Sequence, residues 1–254
     1  MRVISMANFK GGTGKTATAC CLAATLADGE QRVLLIDADP QHNTSDLYSA
    51  PDDATTLTDI LDGTAAPDDD GVLTPTGRAR ITLLPADMGL LGLDLAQMLQ
   101  GGGAAVGRLR ALIDARRDDF DYVLIDCPPS FTAASVAALS VSDLVIIPTC
   151  VDRFSQAGMW ELTEQIVNLR RSSQRDLRWR ILLTMTDGTK LSRQAAAYLR
   201  GAFPADVFAT EIRRTVKVGE ASYAREPVTE YAPGCTAAID YRALAVELIA
   251  EVGA

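Results

Sequence analysis

Apolar runs alternate with amphipathic stretches along this chain, and the alternation sets out an architecture. Val33 to Asp37 (VLLID) is a continuous apolar run ending in acid, and the pattern recurs at Tyr122 to Asp126 (YVLID), Leu144 to Pro148 (LVIIP) and Arg180 to Thr184 (RILLT). Ile81 to Pro85 (ITLLP) is a fifth run, Val207 to Glu211 a weaker sixth, and Arg2 to Asn8 reads as a short buried strand ahead of them. Runs without a polar alternate position are what strands covered on both faces require, and an acid at the carboxyl end of such a strand faces a ligand crevice. Between the runs lie helical patterns: small and apolar residues from Thr16 to about Ala27, stopped by Gly29, then Ser130 to Leu139, Met159 to Arg171, Ser192 to Gly201, and a closing helix over Thr236 to Val252. The prediction is an α/β fold, with an open, doubly wound, mostly parallel sheet and helices on both faces. Tyr48 to Thr76, rich in Asp, Pro, Gly and Thr, breaks the pattern. It is expected to be a surface excursion rather than a linker, because one sheet continues on either side of it, so residues 1–254 are expected to form a single domain.

Composition narrows the chemistry. No stretch reaches the roughly 18 uninterrupted apolar residues of a membrane-spanning helix, and the N-terminus has no signal-peptide pattern, so a cytoplasmic protein is expected. The five cysteines (Cys20, Cys21, Cys127, Cys150, Cys235) form no C-x-x-C pair, which argues against metal clusters and disulfide frameworks and favours buried thiols. His42 is the only histidine, so Ser-His-Asp catalysis and histidine metal clusters are excluded. A net charge of −9 argues against nucleic acid as a partner until its distribution is considered. From Arg153 to Lys217 twelve basic residues face six acidic ones, which makes that segment +6 and the remainder −15. Screening over about 8 to 10 Å at physiological salt lets such a patch act locally.

The chemical signal is concentrated near the start. Lys10-Gly11-Gly12-Thr13-Gly14-Lys15-Thr16 follows a strand and opens a helix, the setting of a phosphate-binding loop. Glycines let backbone N–H groups turn inward around an anion, the helix N-terminus adds positive charge, Lys15 supplies a full charge to outer phosphates, and the Thr16 hydroxyl can bind Mg²⁺. Phe9 stands where the strict pattern has its first glycine. Asp126, at the end of an apolar strand, suits a carboxylate that holds a Mg²⁺-bound water, and Asp37 and Asp39 sit at another strand end.

The form K-G-G-x-G-K-T, with its second lysine at Lys10, resembles the deviant Walker A motif of the ParA/MinD superfamily of P-loop NTPases. The resemblance continues in order through Leu34 to Asn43 (LLIDADPQHN), Phe120 to Ser130 (FDYVLIDCPPS), Ser142 to Pro148, Ile181 to Leu191 (ILLTMTDGTKL) and Glu211 to Ala221 (EIRRTVKVGEA), and so covers nearly the whole chain. It implies ATP and Mg²⁺ as cofactors, nucleotide contacts from Lys10 through Thr16 and Ala17, and metal contacts from Thr16, Asp39 and Asp126. Asp39 would also help position the attacking water. Lys10 would reach across an ATP-sandwich homodimer to the partner's phosphates, which gives Lys10, Lys15 and Asp39 the catalytic roles. His42 departs from the pattern, standing where relatives usually carry glycine.

ParA-type relatives bind DNA without sequence preference when ATP-bound, through basic residues in the C-terminal third. The matching positions here are Lys190, Arg193, Arg213, Arg214 and Lys217, although the TDGTKL region is one residue shorter than in relatives. The resemblance therefore implies a nucleoid-associated DNA partition ATPase stimulated by a ParB-like centromere-binding protein. A ParA-like ATPase that positions a protein cargo over the nucleoid would carry the same nucleotide machinery. MinD-like cycling on membranes calls for a C-terminal helix with basic residues on its polar face, and no basic residue follows Arg242, so no membrane partner is expected. The chain as read begins at the first strand with no helix-turn-helix ahead of it, so operator binding is not expected.

Overall fold

The computed structural model describes residues 1–93, 103–150, 160–168 and 177–253. Its centre is one eight-stranded sheet in the order β3-β4-β2-β5-β1-β6-β7-β8. The strands are β1 (Arg2–Met6), β2 (Val33–Asp37), β3 (Thr74–Pro75), β4 (Ile81–Leu84), β5 (Tyr122–Asp126), β6 (Leu144–Cys150), β7 (Arg178–Thr186) and β8 (Val207–Arg213). All neighbours pair in parallel except the short edge strand β3, which runs antiparallel to β4. The helices are α1 (Lys15–Asp28), α2 (Asn43–Leu47), α3 (Leu57–Asp62), α4 (Ala104–Ala115), α5 (Ala133–Val141), α6 (Lys190–Ala202), α7 (Lys217–Tyr223), α8 (Val228–Tyr231) and α9 (Thr236–Val252), with a further helical stretch over 160–168.

Alternation along the central strands explains both layers. Leu34, Ile36, Val123 and Ile125 point into a core with α3, α4, α5 and α6. Val33, Leu35 and Leu124 point the other way, into a core with α1 and α9. Both sets are essentially unexposed, and each such side chain contributes about 1.5–3 kcal/mol of burial free energy. The doubly wound α/β expectation therefore holds. Strands from Val33 onward build outward on one side of β1 until β5 returns beside it, after which β6, β7 and β8 build on the other side. The reversal of direction next to β1 leaves a crevice at the carboxyl ends of the strands.

The segment expected to be an irregular excursion differs from that reading. It contains α3 and β3, and Leu57, Ile60 and Leu61 are buried against α4. A capping box starts α3, with Thr56 paired to Asp59, and Gly63 ends it in a left-handed turn at φ 87°. The helix is only six residues long, so its apolar spacing was hidden among turn-forming residues.

The exposed edge at β8 is closed by side chains. Its pairing with β7 shifts register between Ile181 and Leu183, which turns the amides of Ala209 and Thr210 away from the ladder. Glu247 of α9 accepts both, at 2.7 and 2.9 Å, while Arg200 donates to the carbonyls of Phe208 and Ala209. Burial pushes the Glu247 carboxyl up, but these amide bonds outweigh it and hold it below its ordinary value. Its stabilisation is therefore present above the ordinary carboxylate range and lost as pH falls from there through the lowered value of the folded state. Glu247→Ala should cost about 1–2 kcal/mol in urea unfolding. The gap from the parent should begin to narrow below about pH 4.3, where the unfolded chain's carboxylate takes up its proton first, and should close once pH falls through the lowered value of the folded parent.

Candidate functional site

The crevice beside β1 is occupied by the glycine-rich turn. Asn8, fully buried at the end of the β1 run, fixes the entrance: its Nδ2 donates to the Pro148 carbonyl at 2.8 Å, and its Oδ1 accepts the Lys10 amide at 3.0 Å. Gly12 and Gly14 then take φ values of 72° and 92°, the left-handed region that only glycine enters without strain. Gly14 is the residue that precedes α1, and it has no side chain to cap the helix. The first amides of a 14-residue helix are thus left to a ligand, and no acidic residue in the first turn competes for them. A cavity of about 780 Å³ opens here, lined by Gly11, Gly12, Gly14, Lys15, Thr16 and Ala17 and also by Asp39, Val218 and Pro227, among others. Of the residues expected to hold nucleotide, Lys10 and Thr13 do not line it. The Thr13 side chain is buried with an unpartnered hydroxyl, so Thr13 can serve a ligand only through its backbone.

Charge is held at this point against the usual preference of ions for water. Lys15 is 7% exposed, and its Nζ donates to the Lys10 carbonyl at 3.2 Å. Burial lowers its pKa, while Asp126, Cys127 and Asp39 partly offset that effect. Asp126 and Asp37 are ladder partners at the ends of β5 and β2, both essentially unexposed. Burial raises both carboxyls, and the Asp126 charge adds to the rise at Asp37. The Thr16 and Thr44 hydroxyls, followed by the Lys15 charge, pull Asp126 back down.

The two acids differ in their hydrogen bonds. Asp37 is engaged through both oxygens: Oδ1 accepts the Asp39 amide, and Oδ2 accepts the amide and hydroxyl of Ser45. Asp126 accepts the Thr44 hydroxyl at Oδ2, and its buried Oδ1 has no partner. An orphaned, buried carboxylate oxygen beside Thr16 fits a hydrated divalent cation, and the glycine turn with Lys15 fits a polyphosphate. Asp39 is half-buried at the cavity wall, where its Oδ1 accepts the Gln41 amide. His42 follows at φ 45° with its Nδ1 3.3 Å from Asp46. Glycine enters this left-handed region without strain, and histidine, which does not, gains the contact with Asp46 instead.

The basic residues fare unequally. Lys190, Arg193 and Arg214 are exposed around the carboxyl ends of β7 and β8, where the Arg214 amide bonds the Thr186 carbonyl. Arg213 is committed to Asp240 through its backbone amide and a forked guanidinium contact, and Lys217 to Glu220 at 2.7 Å. Arg180 pairs with Glu251 and Glu247, and Arg200 with Glu211. The +6 counted along the segment is therefore not a +6 surface, because carboxylates of α9 lie against it. Arg153, Arg170, Arg171 and Arg175 lie outside the described residues. Asn8, Thr44 and Ser45 were not singled out from the sequence, although a polar residue closing an apolar strand run marks Asn8.

A glycine turn between a central parallel strand and a helix, a buried lysine and a strand-end carboxylate define a P-loop nucleotide hydrolase. A family model described as an AAA domain matches residues 1–179. The chromosome partitioning protein ParA of Caulobacter vibrioides is 37% identical over 255 residues, covering 98% of this chain and 94% of the relative. The chromosome-partitioning ATPase Soj of Thermus thermophilus is 36% identical over 256 residues, covering 99% and 97% respectively. The crystal structure of cobyrinic acid a,c-diamide synthase from Mycobacterium smegmatis, with bound ATP analogue and magnesium, superposes with a TM-score of 0.83 at 28% identity, covering 98% of this chain and 94% of that one. The chain belongs to the ParA/MinD family of P-loop ATPases and is of the ParA type.

Ser45 ties three elements together at this site, since its hydroxyl donates to Asp37 and accepts the Ala86 amide at 2.9 Å. Ser45→Ala should destabilise the fold by about 1–3 kcal/mol, because it strands the buried Ala86 amide and takes from Asp37 Oδ2 one of its two donors, leaving only the backbone amide of residue 45. A chemical-unfolding midpoint equal to the parent's would contradict that account.

Proposed function

We propose that this chain is a Mg²⁺-dependent partition ATPase that pairs with a second copy of itself around ATP, binds DNA without sequence preference, and is stimulated by a ParB-like centromere-binding protein. The observation that carries the reading is the meeting of three features at one cavity: left-handed glycines before an uncapped helix, the buried charge of Lys15, and the unpartnered oxygen of Asp126 beside Thr16. The partitioning relatives and the ATP-analogue and magnesium complex of a similarly folded protein support the same assignment.

The amides of Gly11 to Thr16 and the Lys15 ammonium bind and orient the phosphates. Thr16 and Asp126 would hold Mg²⁺, which supplies positive charge to phosphate oxygens as negative charge builds on them. Asp39 positions water at the cavity wall, while Asp37, saturated by Ser45 and Asp39, keeps this wall in shape. Lys10 serves the site of the second copy, as an arginine finger supplied in trans does. Lys190, Arg193 and Arg214 form the leading DNA face, flanked by Arg213 and Lys217. A partition role of this kind implies a cytoplasmic protein that works on the nucleoid. Among the described residues no helix is long and apolar enough to cross a membrane.

Lys15→Ala should abolish ATP binding in calorimetry, and a parental affinity would defeat the loop assignment. Lys10→Ala should keep ATP binding but lose about 10³-fold or more of the partner-stimulated rate, a barrier increase of at least about 4 kcal/mol. DNA retention should require ATP and should fall with salt at a log–log slope of about 0.9 per phosphate contacted. Replacing Lys190, Arg193 and Arg214 together with alanine should flatten that slope. ATP-independent retention, or an unchanged slope, would overturn the DNA assignment.

A further inference from the structure

The phosphate loop is held from below by two side chains that belong to no nucleotide motif. Cys150 and Thr184 are ladder partners at the carboxyl ends of β6 and β7, so their side chains stand next to each other, with Sγ and Oγ1 3.6 Å apart. Both are buried. The Thr184 hydroxyl donates to the Thr13 carbonyl at 2.9 Å, across 171 residues of sequence. The Cys150 thiol reaches the carbonyl of the preceding residue, Gly12, at 3.7 Å. The Thr184 methyl fills the space beneath Gly14, lying 3.9 Å from where a Cβ on that residue would be.

A peptide unit cannot turn its carbonyl one way without turning its amide the other, because the group is planar. Holding the carbonyls of Gly12 and Thr13 toward the sheet fixes the planes that carry the amides of Thr13 and Gly14. Those amides belong to the turn on which an anion would sit. The two left-handed glycines leave the turn unusually free to re-orient, since glycine has a wide choice of backbone angles, so an external anchor has something to select. A buried threonine hydroxyl could have returned to a carbonyl of its own strand. Here it spends its proton on the loop.

We propose that Thr184, with Cys150 beside it, is a positioning residue for ATP binding: its hydroxyl pre-sets the phosphate loop before nucleotide arrives. The inference rests on the assignment of this loop to ATP, and it separates the two halves of the threonine side chain. Thr184→Val keeps the methyl under Gly14 and removes the donor. Thr184→Ser keeps the donor and removes the methyl. With the full-length protein and ATP·Mg²⁺ in calorimetry, Val should weaken binding about tenfold, the scale of one buried hydrogen bond, and Ser should stay within about twofold of the parent. Pre-steady-state association should slow in Val and not in Ser, a split that a loss of packing alone would not produce. Should Val fail to fold, Thr184→Ala against Ser gives the same comparison. Val binding as tightly as the parent, or Ser losing as much as Val, would overturn the positioning role. If the parent itself binds no ATP, the loop assignment fails instead.

Discussion

The left-handed turn at Gly12 and Gly14 is the constraint on which the crevice depends. It bends the chain between β1 and α1 tightly enough for the amides at the start of the helix to stay uncapped, and no side chain intrudes on them. Unsatisfied amides are tolerable where a ligand or water can reach them, and are costly elsewhere. The fold accordingly concentrates its other electrostatic costs at the same place. Lys15 is desolvated, and two carboxylates are buried as neighbours on adjacent strands. Each is expensive alone, and together they offset one another in part, with the lysine beside Asp126 and hydroxyls bridging the rest. What remains uncompensated is an anion site beside a cation site, the complement of a metal-bound polyphosphate.

The two strand-end acids look alike in the sequence, since each follows an apolar run ending in isoleucine. Their partners separate them. Asp37 is saturated by α2, whose Ser45 gives it both an amide and a hydroxyl, so it acts as a structural anchor for the turn that carries Asp39 and His42. Asp126 keeps an open valence at Oδ1, because Thr44 supplies a single donor and spends it on Oδ2. Position on the ladder gives the acids equal depth, and α2 decides which of them can still bind something.

Much of this was legible in the sequence, for a physical reason. Strands covered on both faces are built largely from apolar residues, so β2, β5 and β6 announced themselves as apolar runs, and the closing helix over Thr236 to Val252 was found at its true ends. The phosphate loop was legible because few sequences but glycine-rich ones can make that turn. The hidden features depend on contacts distant in sequence. Thr184 reaches a carbonyl 171 positions away, and nothing in the local pattern of β7 distinguishes it from an ordinary buried threonine. The core residues of α3 were obscured because one short turn of helix, set among Asp, Gly and Pro, produces too little periodicity to read. The basic residues misled a count along the chain because α9, with Asp240, Glu247 and Glu251, folds back over β8 and the start of β7.

That neutralisation has a direction. Glu247 and Glu251 lie toward the end of α9 and meet Arg180, near the start of β7, where the amino ends of the parallel strands lie. Asp240, near the start of α9, reaches only as far as Arg213, the last residue of β8. Beyond it, Arg214, Lys190 and Arg193 emerge past the carboxyl ends of β8 and β7, outside the reach of the helix's acids. A parallel sheet sends every strand's carboxyl end to the same side, so the exposed cations share that side with the phosphate loop, Asp39 and Asp126. The acidic excess of the chain is thereby consistent with a cationic rim beside the crevice: α9 spends its carboxylates on the opposite end of the sheet and on its edge.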